Sequence, residues 1–170
     1  IMFPAFVGIW AVIVLISYKN AEQRNPQVVA VARDLLAKKK ASSPIVVLTG
    51  AGISSSSGIP DYTAGDWLDP AVPISQYSYS NFISSIESRA LYWASCERFR
   101  LLARRVLPNK AHYALRTLEL SGLIGTVITQ NVDGLHQRAG TANIVELHGS
   151  IKKVRCLVCD WSDEWSSFIE

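Results

Sequence analysis

The sequence predicts an α/β fold with a parallel sheet. Three short apolar segments rich in β-branched residues, at 45–48, 124–129 and 143–147, have the length and composition of buried strands. Segments in which apolar residues recur at helical spacing separate the first of these strands from the second, as in a sheet whose strands are joined by helices. Glycine or polar residues follow each strand at once, and open α/β sheets bind ligands at the carboxyl ends of their strands.

Composition indicates one ordered domain with its own core. The 170 residues are 49% hydrophobic and 18% charged, which argues against disorder. A net charge of +3 is too small to indicate nucleic-acid binding. The chain begins with Ile1 rather than Met and stops soon after a Cys-x-x-Cys motif, so we interpret it as a fragment.

The first 18 residues carry no charged side chain, which reaches the lower length limit of a membrane-spanning helix. A membrane anchor is one interpretation of this stretch. A signal or targeting core, and sequence that is not native coding sequence, are the others. We expect residues 1–26 to form an apolar membrane or targeting segment and a polar linker, with no ordered role in the core. Residues 27–40 are predicted to be helical.

The first predicted strand runs into a glycine-rich turn, in the stretch IVVLTGAGISSSSGIPDY at residues 45–62. Gly50 and Gly52 lack a Cβ, so the backbone can turn tightly and approach a ligand closely. The ordinary dinucleotide motif G-x-G-x-x-G is not matched, because position 55 is serine and the next glycine is Gly58. The amides of Gly52, Ile53 and Ser54 are predicted to point outward and to favour an anion such as pyrophosphate.

Two helical regions are predicted between the first and second of these strands. Residues 82–106 form one or two helices, in which Cys96 is interpreted as a small apolar filler. Asn109 is the predicted N-cap of the next helix, and Gly122 ends that helix. His112 has a side chain of a catalytic type, but a packing or capping role fits its position better.

Polar clusters follow all three strands. The second strand leads into QNVDGLH at residues 130–136, and the third ends in ELHG at residues 146–149. Because parallel strands end at the same edge of a sheet, GAGIS, QNVD and ELHG are predicted to meet there. For His148 taken alone, a structural histidine with its hydrogen bonds satisfied is the alternative to a catalytic role.

Cys156 and Cys159 form a Cys-x-x-Cys pair in a polar stretch after the third strand. Two thiolates at this spacing can occupy two corners of a tetrahedral zinc site. Thioredoxin-like redox chemistry is the alternative, and it is disfavoured because the pair does not open a helix.

Together the motifs GAGIS-x-x-SGIPDY, P-N-x-A-H, TQNVDGLH and ELHG resemble those of the sirtuin family, the NAD-dependent protein lysine deacylases. D-Y after the proline, P-N-x-A-H and R-C-L-x-C are most similar to class II, the mitochondrial-type sirtuins. The resemblance implies a Rossmann-like parallel sheet with helices on both faces, here incomplete, whose amino-terminal part is residues 27–150. Residues 151–170 are then the first half of a small zinc-binding module.

The resemblance also implies a reaction. The amide oxygen of an acyl-lysine attacks the ribose carbon of NAD that releases nicotinamide, and the acyl group passes to ADP-ribose. Proteins with acylated lysines are the implied partners, with no direct role for nucleic acid. Cys156 and Cys159 are implied to be half of a structural zinc site. The class II likeness suggests a mitochondrial location, whereas the apolar amino terminus suggests membrane association.

Other functions stay open. The same machinery could transfer ADP-ribose to a protein, which would make the protein a mono-ADP-ribosyltransferase. A non-catalytic NAD-binding protein is a further alternative. A nicotinamide-dependent oxidoreductase is disfavoured by the broken glycine spacing.

Residue by residue, the resemblance implies catalytic roles for His148 and Asn131. His148 is the expected general base that deprotonates a ribose hydroxyl. Asn131, Val132 and Asp133 are expected to line the nicotinamide pocket, and Gln130 to hold the ribose. The full set of expected NAD-binding residues is Gly50, Ala51, Gly52, Ile53, Ser54, Pro60, Asp61, Tyr62, Gln130, Asn131, Val132 and Asp133.

One position departs from the family pattern, because Thr63 stands where an arginine usually follows D-F or D-Y. A guanidinium there can clamp cofactor oxygens, so its absence predicts lowered or lost activity. We predict that Thr63→Arg strengthens NAD binding by the full-length protein. Titration calorimetry with NAD measures the gain, and equal affinities of the two proteins would contradict the prediction.

Overall fold

The computed structural model describes residues 11–12, 44–60 and 68–168. The predicted helix at 27–40 lies outside the described residues, as do Asp61, Tyr62 and Thr63. Most of the predicted apolar segment, residues 1–10 and 13–18, also lies outside them.

A four-stranded parallel sheet is the centre of the fold. Its strands follow one another across the sheet in chain order, so each strand adds to the same edge. The three strands predicted from the sequence are present, and their ends agree with the prediction to within one residue. The strands are β1 Ala11–Val12, β2 Ile45–Thr49, β3 Ile124–Thr129 and β4 Ile144–Glu146.

Strand β1 differs from the prediction for the amino-terminal segment. Ala11 and Val12 pair in parallel with Val46 and Val47 of β2. The expectation that residues 1–18 take no ordered part in the core is therefore wrong for these two residues. Their backbone supplies hydrogen-bond partners to what would otherwise be an open edge of β2.

No helix in the described part of the chain is long and apolar enough to cross a membrane.

A separate antiparallel hairpin follows the parallel sheet. Strand β5, Lys153–Arg155, pairs with β6, Ser162–Glu164, and residues 156–161 connect them. The Cys-x-x-Cys pair therefore lies in the hairpin loop. The sequence predicted a polar loop here and missed both strands, because three-residue strands are too short to show a clear alternation of apolar and polar residues.

The predicted helical region at 82–106 is two helices. Ser85 separates them in an extended conformation, with φ −127° and ψ 131°, and its hydroxyl oxygen accepts the Ser88 N–H at 3.2 Å. The second helix therefore begins with a side-chain cap. The described helices are α1 Tyr79–Ser84, α2 Ile86–Arg105, α3 Lys110–Leu120, α4 Leu135–Arg138 and α5 Trp165–Phe168.

Helix α3 begins and ends at the residues that the sequence predicts. Asn109 Oδ1 accepts the Ala111 N–H at 2.9 Å, and Asn109 Nδ2 donates to the Ile53 carbonyl at 2.7 Å. His112 Nδ1 accepts the Asn109 N–H at 3.3 Å, and its ring is fully buried, which confirms a packing and capping role. Gly122 follows the helix with φ 71°, the left-handed conformation of many helix ends.

The core lies between β2, β3 and α3. Val47 of β2 and Ile124 and Val127 of β3 pack with Leu115 of α3 and with Ile53 from the turn after β2. Each of these side chains is at most 5% exposed. Burial of apolar area contributes roughly 25 cal/mol per Å², so this cluster holds the strands whose ends carry the polar motifs.

The pairing of β2 with β3 contains an irregularity. The register shifts between Ile45 and Val46, and Gly125 of β3 lies opposite the shift. A Cβ built on Gly125 would lie 2.7 Å from both Cβ and Cγ of Pro44, closer than side chains approach one another. Glycine is thus required here by the close approach of the proline ring.

We predict that Gly125→Ala lowers the free energy of unfolding by about 1–3 kcal/mol, because the added methyl group must displace Pro44. Urea unfolding of the two proteins measures the difference. Leu120→Ala, at a side chain that is 69% exposed, is the control and should change the value by less than about 0.5 kcal/mol. A Gly125→Ala protein as stable as its parent would contradict this account of the bulge.

Candidate cofactor-binding and catalytic site

A pocket of about 400 Å³ lies at the carboxyl ends of β2, β3 and β4. It is of the size that small-molecule ligands occupy. Residues from all three polar clusters line it, which is the convergence that the sequence predicts. They are Ala51 and Ser54 after β2, Asn131, Val132 and Asp133 after β3, and His148 after β4.

The turn after β2 is a 3₁₀ turn, Ala51–Ile53. It closes on itself, since the Ile53 N–H donates to the Gly50 carbonyl at 3.1 Å and the Ser54 N–H to the Ala51 carbonyl at 3.0 Å. The prediction that the amides of Ile53 and Ser54 point outward to an anion is therefore wrong. Their hydrogen bonds are already made within the turn.

Gly50 leaves open space beside the backbone. Its conformation is extended, with φ −141° and ψ −169°, so the turn itself does not require glycine at this position. A Cβ on Gly50 would meet nothing within 4 Å. The open space would let a ligand approach the backbone closely. Close approach of a ligand, rather than a tight turn, is therefore the predicted reason for glycine that the structure supports here.

Hydrogen bonds between side chains join the turn after β2 to the loop after β3. Ser54 Oγ donates to Asp133 Oδ2 at 2.7 Å, and Asn131 Nδ2 donates to Ser54 Oγ at 3.2 Å and to the Gly50 carbonyl at 3.1 Å. Asp133 Oδ1 also accepts the Leu135 N–H at 2.8 Å. The Ser54 hydroxyl is thereby committed to the protein, so Ser54 contributes the shape of the pocket rather than a free hydroxyl.

Some predicted cofactor residues lie apart from the pocket. The Ile53 side chain is 4% exposed and packs in the core, so any contact with a cofactor is left to its backbone. Gln130 is exposed, and its N–H donates to the Thr49 carbonyl at 3.0 Å. The described residues that line the pocket include Pro60 but not Gly50, Gly52, Ile53 or Gln130.

His148 is an exposed residue of the pocket lining. Strand β4 ends at Glu146, so His148 lies in the turn that follows and not in the strand. The Leu147 N–H donates to the Thr129 carbonyl at 2.9 Å, which fixes the turn to β3. Gly149 has φ 78°, a conformation that suits glycine and reverses the chain directly after the histidine.

Two histidines form a buried pair behind the pocket. The rings of His112 and His136 have centroids 4.9 Å apart, and both side chains are at most 1% exposed. Thr49 Oγ1 lies 2.9 Å from His136 Nε2 at hydrogen-bond distance. Sequence reasoning gave His136 no role, because no pattern shows that a histidine of α4 contacts one of α3.

Burial lowers the pKa of both imidazoles. Loss of hydration is the main cause, and for His136, whose pKa falls to about 4, a charge on His112 acts in the same direction. The nearby Asp133 carboxylate opposes both shifts without cancelling them. The two rings are therefore neutral near pH 7.

In the cysteine pair, the pKa of the Cys156 thiol is lowered. The Val158 N–H donates to Cys156 Sγ at 3.3 Å, and the amide groups of Val158 and Cys159 lower the pKa of the Cys156 thiol. Cys159 is exposed. In residues 11–12, 44–60 and 68–168, no group of three or more His, Cys, Asp or Glu side chains could hold a metal ion. Burial instead raises the pKa of the Cys96 thiol, as suits an apolar filler.

The chain is similar in sequence to known proteins. The family model described as "Sir2 family" matches residues 50–170. The NAD-dependent protein deacylase 2 of Archaeoglobus fulgidus is 43% identical over 144 residues, which are 82% of this chain and 53% of that protein. The NAD-dependent protein deacylase SIR4 of Monosiga brevicollis is 44% identical over 116 residues, which are 68% of this chain and 36% of that protein. The chain thus spans about half or less of the length of these relatives.

The fold is similar to solved structures as well. A structure described as "The Structural basis of Sirtuin Substrate Affinity" matches with a TM-score of 0.68 and 34% identity, over 82% of this chain and 55% of that one. A Sir2 complex with an inhibitor, 2′-O-acetyl-ADP-ribose and a deacetylated p53 peptide matches with a TM-score of 0.64 and 35% identity, over 82% of this chain and 54% of that one. The predicted Rossmann-like α/β fold with a parallel sheet is confirmed.

The buried histidine pair predicts loss of stability in mild acid. An unfolded histidine binds a proton as the pH falls through about 6.5, whereas folded His136 does so only near 4. Stability is therefore full above pH 6.5 and falls between pH 6.5 and 4, by about 2 kcal/mol at pH 5 for His136 alone.

Urea unfolding at pH 7.5 and pH 5 measures this loss. His136→Gln removes the titrating ring, so the variant should show a smaller difference between the two pH values than the parent. Equal free energies of unfolding of the parent at both pH values would show that the rings are not held neutral.

Proposed function

The chain belongs to the Sir2 family, and from that premise we propose that its protein is an NAD-dependent protein lysine deacylase, which passes the acyl group to ADP-ribose and releases nicotinamide. The observation that carries the proposal is the single pocket that gathers Ala51, Asn131, Asp133 and His148 from three strand ends. The relatives named as deacylases, and the acetyl-ADP-ribose and deacetylated peptide in a similar Sir2 complex, support it. The same likeness supports proteins with acylated lysines as substrates.

The groups that line the pocket support NAD as its ligand. Ala51 and Val132 offer small apolar surfaces for a flat ring, and the backbone of Gly50, next to Ala51, is open to close approach. Asn131 and Asp133 place an amide and a carboxylate beside them, held in position by their bonds to Ser54. When bound, NAD supplies the ADP-ribose that accepts the acyl group and the nicotinamide that leaves.

His148 is the general base in this proposal. The chain has three histidines, and only His148 lines the pocket, whereas His112 and His136 are buried and neutral. Imidazole gains and loses a proton near neutral pH, which suits removal of a proton from a ribose hydroxyl. Asn131 is the second proposed catalytic residue, since its fixed side chain lies between the turn after β2 and the pocket.

Two other functions use the same pocket. Transfer of ADP-ribose to a protein requires the same groups, and release of nicotinamide without deacylation would favour it. Position 63 carries threonine where the family pattern has arginine, which favours a protein that binds NAD without turnover. Binding of NAD with no nicotinamide release from any acyl-lysine peptide would favour that alternative.

We also propose that Cys156 and Cys159 are half of a structural zinc site. The lowered pKa of the Cys156 thiol supports this, because metals bind the thiolate. Zinc analysis of the full-length protein and of Cys156→Ser tests it, and equal metal content in both would remove the assignment. Membership of class II and a mitochondrial location are proposals that rest on the D-Y and R-C-L-x-C motifs, and cell fractionation tests the location.

We predict that His148→Gln lowers formation of the deacylated peptide by roughly 100-fold or more, because the base acts on the ribose hydroxyl after nicotinamide has left and general-base catalysis contributes about 10²–10⁴ in rate. The assay uses the full-length protein with NAD and an acetyl-lysine peptide, and calorimetry checks that NAD still binds. Tyr113→Gln, at an exposed position of α3, is the control and should keep the parent rate. A His148→Gln protein with the parent rate would exclude this histidine as the base.

A further inference from the structure

We propose that a second pocket, formed by α2, α4, β6 and α5, binds a small anion that carries a phosphate group. The site goes beyond the proposed function and does not depend on it. Three observations support it, namely the size of the pocket, its excess of cationic side chains, and a buried donor in its lining that has no acceptor.

The second pocket has a volume of about 430 Å³, which is within the range that small-molecule ligands occupy. Its walls come from the carboxyl-terminal end of α2, from α4, and from the end of the cysteine hairpin with the helix that follows it. It shares only Asp133, Ile151 and Trp165 with the lining of the first pocket. The two pockets are therefore neighbours with different walls.

The lining of the second pocket carries more positive than negative charge. The cations are Arg100, Arg104, Arg138 and Lys152, and the carboxylates are Asp133 and Glu164. Both oxygens of Asp133 already accept hydrogen bonds, from Ser54 Oγ and from the Leu135 N–H. The side chains of Arg104 and Lys152 form no hydrogen bond or ion pair within the described part of the chain. Two cations of the lining are thus available to an anion.

The other two arginines are held in position by the protein. Arg100 Nε and Nη2 donate to the two carboxylate oxygens of Glu97 at 2.7 and 2.6 Å. Arg138 Nη1 donates to the Ala103 carbonyl at 2.8 Å. This bond satisfies one of the last carbonyl groups of α2, whose partial negative charge would otherwise repel an anion. A guanidinium has five N–H donors, so each arginine keeps others for a ligand.

A buried donor in the lining lacks an acceptor. Trp165 is 6% exposed, and its Nε1 has no hydrogen-bond partner among the described residues. Arg100 chiefly lowers the pKa of the Glu97 carboxyl, and the Trp165 indole acts in the same direction. The indole N–H therefore lies towards Glu97 and Arg100, of which Arg100 lines the second pocket and neither lines the first. A ligand oxygen in the second pocket would meet a donor that the protein leaves unpaired.

A phosphate group matches these donors better than a carboxylate does. Near pH 7 a phosphate monoester carries a charge of about −1.5 to −2 and three strong acceptor oxygens. Guanidinium groups bind such oxygens in bidentate pairs, and lysine binds phosphate as a point charge. Arg104, Arg138 and Lys152 together can offset that charge, and the Ser166 hydroxyl adds a further donor. A single phosphate does not fill the pocket, so a small organic group attached to it also fits.

Titration calorimetry with the full-length protein at low salt tests the site. The probes are inorganic phosphate and glycerol 3-phosphate, and acetate is the carboxylate control. We expect saturable binding of a phosphate probe with a Kd of about 1 mM or tighter, and the tighter of the two probes shows whether the site takes free phosphate or an ester. Binding of neither phosphate probe, or equal binding of acetate, would overturn the inference.

Two matched pairs of variants locate the binding. Arg104→Gln should weaken phosphate binding at least tenfold, whereas Arg105→Gln removes the same charge one residue along, outside the lining, and should change Kd less than twofold. Lys152→Gln should likewise weaken binding at least tenfold, whereas Lys153 lines only the first pocket, so Lys153→Gln should not. Equal effects within a pair would indicate unspecific attraction by surface charge. A larger effect of Lys153→Gln would assign the anion to the first pocket, and either result would overturn the inference.

A third pair tests the sign of the charge effect. Glu164 is the exposed carboxylate of the lining, so Glu164→Gln should tighten phosphate binding, whereas Asp163→Asn, next to it and outside the lining, should leave Kd unchanged. Weaker binding by folded Glu164→Gln would contradict an anion site here. None of these measurements requires turnover. A failed deacylase assay therefore leaves the phosphate site standing, and an absent phosphate site leaves the proposed function standing.

Discussion

The hydrogen bonds among Ser54, Asn131 and Asp133 are the interactions on which the candidate site depends. They join the ends of two neighbouring strands through side chains that are buried or half-buried, where an unmet donor or acceptor costs about 1–3 kcal/mol. The apolar cluster behind the sheet holds β2 and β3 together, but it does not specify how their polar ends are oriented. The polar bonds do this, and they commit the Ser54 hydroxyl, which would otherwise be free to bind a ligand.

Much of this architecture could be predicted from the sequence, because its signals are local. Runs such as 124–129 are apolar and end abruptly in polar residues, so both the strand and the edge that carries function are readable. Asn109 and Gly122 are likewise local signals of helix ends. Other features depend on contacts that no local pattern contains. The turn that uses the amides of Ile53 and Ser54 is one, and the contact between the two buried histidines is another.

The three histidines show how position, rather than residue type, decides the chemistry available. His112 and His136 lie where water is excluded, so their rings stay neutral and serve as polar packing around Thr49. His148 follows the short edge strand β4 on a turn that exposes its ring to the pocket. Burial therefore separates the histidines that hold the edge together from the one that can exchange a proton with a ligand.

The contact between Trp93 and Trp165 has a consequence for how distant parts of the protein influence one another. Trp165 directly follows β6, so the indole pair joins the cysteine hairpin to the side of the pocket that α2 forms. The two regions therefore share one packing contact, and if binding at the hairpin changes that contact, linkage requires binding in the pocket to be changed by the same coupling free energy in return.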